Sequence, residues 1–186
     1  MANQFHHVMI DLETMGNKNR AAICTIGAIE FDISSGVKGR EFYEKIDLQS
    51  CLDLGLQIDG STVRWWMGQP DQARNEIIQD GRNIHQVLFK LNHWFAACHP
   101  GYQVWGNGSS FDLVILESAF EAVGQQAPWD FRNERDVRTM LMLYPNVKDY
   151  VKHRGIKHHA LSDCRYQIEL VSEVFRLATS RNDVMA

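Results

Sequence analysis

Asp11 and Glu13 stand two residues apart at the end of an apolar run, Val8 to Ile10. Side chains two apart on a strand project from one face, with backbones about 7 Å apart. Two carboxylates ending a buried strand repel each other and lose hydration unless something cationic compensates. A hard divalent cation does this, because Mg²⁺ prefers oxygen ligands. The plain alternative is a pair of surface acids, and a bare D-x-E pattern is common. A second signal is VWGNGSSFD, Val104 to Asp112. There a strand stops at a glycine-containing loop and Asp112 falls in the first helical turn. Gly106 and Gly108 permit a tight turn and close approach of backbone to a ligand, although Asp is favoured at a helix start on electrostatic grounds alone. The third is HHALSD, His158 to Asp163, with an imidazole just before a helix and a carboxylate in its first turn. Taken alone, a solvated histidine pair and another helix-start acid explain that segment more simply.

These groups need a scaffold to bring them together. His7 to Asp11 reads as a short buried strand, and Ala21 to Asp32 as a second, rich in β-branched residues. Gly36 and Gly39 turn the chain into a third strand, Glu41 to Ile46. Short turns between the three imply an antiparallel meander. Helical patterns follow: Thr62 to Met67 with Ser61 as cap, Asp71 to Gln79 after Pro70, and a longer helix capped by Asn83. In that helix Val87, Leu88, Leu91, Trp94 and Phe95 recur at helical spacing. A fourth strand spans Tyr102 to Trp105. Ser109 or Ser110 opens a helix reaching about Val123, a fifth strand lies near Arg135, and helices cover Val137 to Tyr144 and Leu161 to Leu177. The pattern gives an α/β domain with a mixed five-stranded sheet flanked by helices.

A chain of 186 residues fits one domain, 1–186, with a core that needs no staples. No apolar run approaches the ~20 residues that span a bilayer, and Met1 to His7 lacks the marks of a signal peptide. The sequence therefore reads as cytoplasmic and free of membrane. Cys24, Cys51, Cys98 and Cys164 form no CxxC pair and read as buried thiols. A net charge of −4 argues against a nucleic-acid partner, but two bound divalent cations would cancel it. The charge is also uneven: Arg132, Arg135, Arg138, Lys148, Lys152, Arg154 and Lys157 outnumber Glu134, Asp136 and Asp149 in one stretch. A solvated face explains that stretch as well as a binding surface does.

In combination the three signals say more than each alone. D-x-E on the first strand, N-x₃-F-D after the fourth and H-x₄-D near the last helix occur in order. The set resembles the DEDDh group of the DnaQ-like exonucleases, which also includes RNase T and oligoribonuclease. The resemblance runs from Val8 to about Phe175. It is closest to small phage and bacterial members, which carry a paired-tryptophan segment like TVRWWMGQ at Thr62 to Gln69, followed by Ala73-Arg74. They also carry an Arg-Asp-Thr-Arg-Thr segment like Arg135 to Thr139, where Val137 here replaces the threonine.

The resemblance implies a ribonuclease H-like fold and a 3′→5′ exonuclease working with two divalent cations, Mg²⁺ or Mn²⁺. By motif, Asp11, Glu13, Asp112 and Asp163 would be the metal carboxylates and His158 the general base. An imidazole titrating near ~6.5 is largely neutral at cellular pH and suits that role. Leu12, Thr14 and Met15 would contact the terminal nucleotide, with Asn107 and Trp66 as further substrate contacts. Adjacent tryptophans on a helix point about 100° apart, so of Trp65 and Trp66 one is expected in the core and one partly exposed. The implied partner is nucleic acid with a free 3′ end, single-stranded or overhanging, with DNA slightly ahead of RNA; a homodimer fits relatives of this kind. Two rivals stand beside this reading. One is a catalytically inactive nucleic-acid-binding module on the same fold. The other is a zinc site from His153, His158, His159 and Cys164, whose spacing matches no common structural pattern.

Overall fold

A computed structural model describes residues 5–108 and 110–180. Ser109, one of the two expected helix-opening residues, and Met1 to Gln4 of the N-terminal segment lie outside the described residues. Strand β1 spans His7–Thr14, β2 Ile23–Phe31 and β3 Lys38–Lys45. Helices α1 (Leu48–Asp53), α2 (Gly60–Met67), α3 (Asp71–Ile78) and α4 (Ile84–Ala96) follow. Strand β4 (Gln103–Gly106), α5 (Asp112–Ala122), β5 (Glu134–Asp136), α6 (Val137–Leu143), α7 (Val147–Tyr150) and α8 (Ala160–Ser180) complete the order.

The sheet runs β3-β2-β1-β4-β5. β1 to β3 form the expected antiparallel meander, while β4 and β5 add parallel to β1. Parallel addition needs a crossover, which α1 to α4 supply between β3 and β4. β1 and β2 are buried along nearly their whole length because helices cover both faces. Strand parity divides the core. Val8, Ile10 and Leu12 point into a layer with α4 and α5 side chains such as Leu88, Leu91, Leu113 and Leu116. Met9 points into the opposite layer, with Phe31, Trp105, Leu141, Cys164 and Ile168. Asp11 and Glu13 share the parity of Met9 and so look toward α8.

One glycine sets how closely α8 can lie. Gly27 pairs with Asp11 in register, and a Cβ on it would come 2.7 Å from the carbonyl carbon of Ala160. Its missing side chain lets the first turn of α8 press onto β2.

β1 continues through Thr14, so Glu13 lies inside the strand rather than beyond it. Asp59, not Ser61, caps α2: its carboxylate accepts from the Ser61 and Thr62 amides at 2.7 and 3.1 Å. An ionised cap suits the positive end of a helix better than a hydroxyl does. Helices α1 and α7 carry no periodic apolar stripe long enough to show in the sequence. The four cysteines are free thiols. Among the described residues no helix is long and apolar enough to cross a membrane.

Candidate active site

Asp11, Glu13, Asp112, His158 and Asp163, from three separate segments, border one cleft of about 820 Å³. β1 supplies the first two on its α8-facing side. Asp112 arrives at the start of α5, after a loop in which Gly108 adopts φ +101°, a conformation that favours glycine. There the Asp112 carboxylate accepts from the Leu12 amide at 3.2 Å and the Asn107 amide at 3.0 Å. It is thereby fixed to the ends of β1 and β4 at once. Asp163 lies in the first turn of α8. Its Oδ2 accepts from the His158 amide at 3.0 Å, and its Oδ1 meets Nε2 of His153 at 2.5 Å.

His158 is a non-glycine residue with φ 61°, a backbone state that side chains disfavour and that the surroundings must hold. The Asp163 bond holds its amide. Its ring stands edge-on to Trp65 and Trp66, at 4.9 and 6.0 Å between centroids. The next residue, His159, stacks on Tyr43 at 4.7 Å, facing away from the cleft. Donor atoms of Glu13, His158 and Asp163 lie within 4.8 Å of one another, a spacing that fits a metal ion.

Electrostatics make the same point. Asp11 and Glu13 are 9% and 7% exposed, Asp112 3%. Burial, then the Asp112, Glu13 and Asp163 charges, push the Asp11 carboxyl well above its usual range, against a hydrogen bond from Gln167 that favours the ionised form. Burial, then Asp163 and Asp112, raise Glu13 to about 9. Burial raises Asp112 to about 7, against the Leu12 and Asn107 amides and the Arg138 charge, which favour ionisation. Without a cation, Asp11 and Glu13 favour their neutral, protonated forms at neutral pH. Four hard oxygen donors that repel one another until a cation arrives are a fitting donor set for divalent metal.

The structure draws finer lines among the expected substrate contacts. Thr14 and Asn107 border the cleft. Leu12 borders it too, but its side chain belongs to the opposite core layer, so its amide does the work on Asp112. Met15 is not among the lining residues: it follows the last residue of β1, its amide donates to the Ala22 carbonyl and its side chain packs on the core. Trp66 borders the cleft as well, although it is largely buried, and donates from Nε1 to the Thr14 carbonyl at 2.9 Å. The exposed member of the pair is Trp65, at 45%. The zinc alternative fails on geometry, since Cys164 is buried with its thiol on the Met9 and Gly27 carbonyls. His153, Gln167, Arg138, Lys148, Lys152 and Lys157 also border the cleft. No local pattern singled out Gln167, and His153 entered only as a ligand of the zinc alternative; the basic stretch was the visible sign of the others.

Residues 6–175 match the 3′-5′ exoribonuclease Rv2179c-like domain family. The chain belongs to that family. It is thus a DnaQ-like 3′→5′ exonuclease, with the ribonuclease H-like architecture of that superfamily. An exodeoxyribonuclease of Enterobacteria phage T4 is 26% identical, over 94% of this chain and 91% of the relative. Among solved structures, exonuclease I superposes with a TM-score of 0.67 at 16% identity, covering 94% of this chain and 43% of its own. The chain therefore spans less than half of exonuclease I. The nuclease domain of 3′hExo, a DEDDh family member bound to rAMP, superposes with a TM-score of 0.65 at 11% identity, covering 95% and 94%. These two likenesses establish the shared fold.

Proposed function

We propose that the chain hydrolyses nucleotides singly from the 3′ end of DNA, using two divalent cations held by Asp11, Glu13, Asp112 and Asp163. The crowding of these four carboxylates in one cleft, three of them buried with raised affinity for protons, carries this reading. Bound cations supply a water of lowered pKa and offset the charge of the phosphodiester. His158 takes the proton of the attacking water, a role supported by its ring bordering the same cleft beside Glu13 and Asp163. The water oxygen bonds to phosphorus, the P–O3′ bond to the preceding sugar breaks, and a 5′-mononucleotide leaves. Asp163 steadies the His158 backbone, and Trp65 and Trp66 limit where the ring can swing.

Arg138, Lys148, Lys152 and Lys157 receive the phosphates of the strand behind the terminal nucleotide. The exposed face of Trp65 stacks on an unpaired base, which favours a single strand or overhang. DNA is favoured by the likeness to the phage exodeoxyribonuclease along nearly both lengths. RNA is the second reading, and the description of the matching family favours it. A cytoplasmic setting completes the proposal.

Digestion of 3′-labelled and 5′-labelled oligonucleotides, as single strands, duplexes and overhangs of DNA and RNA, tests it. Stepwise shortening of the 5′-labelled strand with Mg²⁺ or Mn²⁺, abolished by EDTA, is the expected result. Binding without metal-dependent cleavage would make the chain an inactive module, and faster RNA than DNA turnover would reverse the substrate assignment.

A further inference from the structure

Gln167 stands outside the four-carboxylate set, yet it is 3% exposed and sits on α8 one turn beyond Asp163. Its Nε2 donates to Oδ1 of Asp11 at 2.6 Å. Its Oε1 is buried without a hydrogen-bond partner, and the side chain borders the same cleft as the acids. A buried amide oxygen left unpaired is costly. An apolar side chain of similar shape would fill this place without that cost, so packing alone does not call for glutamine. The i, i+4 spacing sets Asp163 and Gln167 on one face of α8. Contact between Gly27 and Ala160 presses that face toward Asp11, the register partner of Gly27.

We propose that Gln167 is a positioning residue for the metal site: its Nε2 fixes one oxygen of Asp11 so that the other is left for a cation. Asp163 and Gln167 then make α8 a two-pronged element. One prong supplies a carboxylate, and the other orients a carboxylate of β1. Groups that orient metal ligands through hydrogen bonds commonly influence affinity strongly although they never touch the ion.

The inference rests on the metal-site reading above, and one experiment separates the two. Mn²⁺ is titrated by calorimetry into the full chain as wild type, Gln167→Leu and Gln167→Met, and each is melted in EDTA and in Mn²⁺. Both variants are expected to melt in EDTA close to wild type. Their Mn²⁺ affinity should fall roughly 10–100-fold, the Mn²⁺-induced rise in melting temperature should shrink, and KM for an oligonucleotide at saturating Mn²⁺ should hold. Affinity within about twofold of wild type in either folded variant would reduce Gln167 to a packing residue, because factors near 10 or more are what such orienting groups command. Failure of both variants to fold in EDTA would also overturn the proposal, since a positioning role leaves the cation-free protein intact. A wild-type chain that takes up no Mn²⁺ would instead sink the metal-site reading itself.

Discussion

Asp11, Glu13 and Asp112 form a cleft floor that is almost closed to solvent, whereas Trp65, Lys152 and Lys157 stand exposed at its rim. Two floor residues, and Asp163 beside them, are held by hydrogen bonds. Asp11 accepts from Gln167, Asp112 from two backbone amides, and Asp163 meets His153 and the His158 amide. The rim lysines lie on the segment between α7 and α8, where the chain forms neither helix nor strand. Floor groups can therefore be placed to within a cation's tolerance, while rim groups suit a flexible polyanion that accepts loose positioning. Chemistry and strand-holding are thus separable in this cleft.

The separation can be broken from the floor first. Asp11→Asn is expected to abolish detectable turnover and Mn²⁺ uptake together while the protein still folds; calorimetry and a 5′-labelled oligonucleotide assay check it. Next, His158→Ala should cut turnover by roughly 10²–10⁴-fold and leave Mn²⁺ uptake intact. Loss of Mn²⁺ uptake in that variant would move His158 from proton acceptor to ligand.

Gly27→Ala tests whether close approach of α8 builds the floor. The added methyl meets backbone, which has little room to yield, so overpacking of about 1–3 kcal/mol is expected. Thermal melting should show it, with activity falling more steeply than stability because Asp163 and Gln167 move away from Asp11. At the rim, Lys152→Ala and Lys157→Ala should each raise KM several-fold with kcat unchanged. Each should also make the salt dependence of binding shallower by about 1 in log–log slope.

The smallest effect concerns the floor without cations. Folded Glu13 keeps its proton up to about 9, against an ordinary value of 4.5. Its contribution to stability is fully present below 4.5 and is lost as pH rises through about 9. In EDTA at pH 8, Glu13→Gln should melt higher than wild type by on the order of a few degrees, with the gap closing near pH 4. Added Mn²⁺ should reverse the order. Equal melting curves across that range would mean the floor is better solvated than its burial indicates.

Much of this arrangement was legible in the residues. The i, i+2 spacing of Asp11 and Glu13 put both on one strand face whatever the rest of the chain did. Asn83 announced α4 because a short amide side chain before an apolar stripe satisfies the first helical amides. Met15 shows the limit: strand alternation ends with β1 at Thr14, and no local rule says that the next side chain packs on the core. The Trp65–Trp66 pair shows another, since sequence divides the two between core and solvent without saying which is which. That choice falls to Trp66, whose indole bonds the Thr14 carbonyl across a distance in sequence that no local rule spans.

By itself the sequence determined the identities and spacings of Asp11, Glu13, Asp112, His158 and Asp163, and the local elements that carry them. Tertiary structure alone decided that these elements meet. It paired Asp11 with Gly27, lowered α8 onto that gap, and brought Gln167 to a cleft that its own neighbourhood does not mention. The physical reason is range: strand parity and helix caps act over a few residues of chain, whereas a charge cluster is made by whichever side chains the packed sheet and helices leave facing one another.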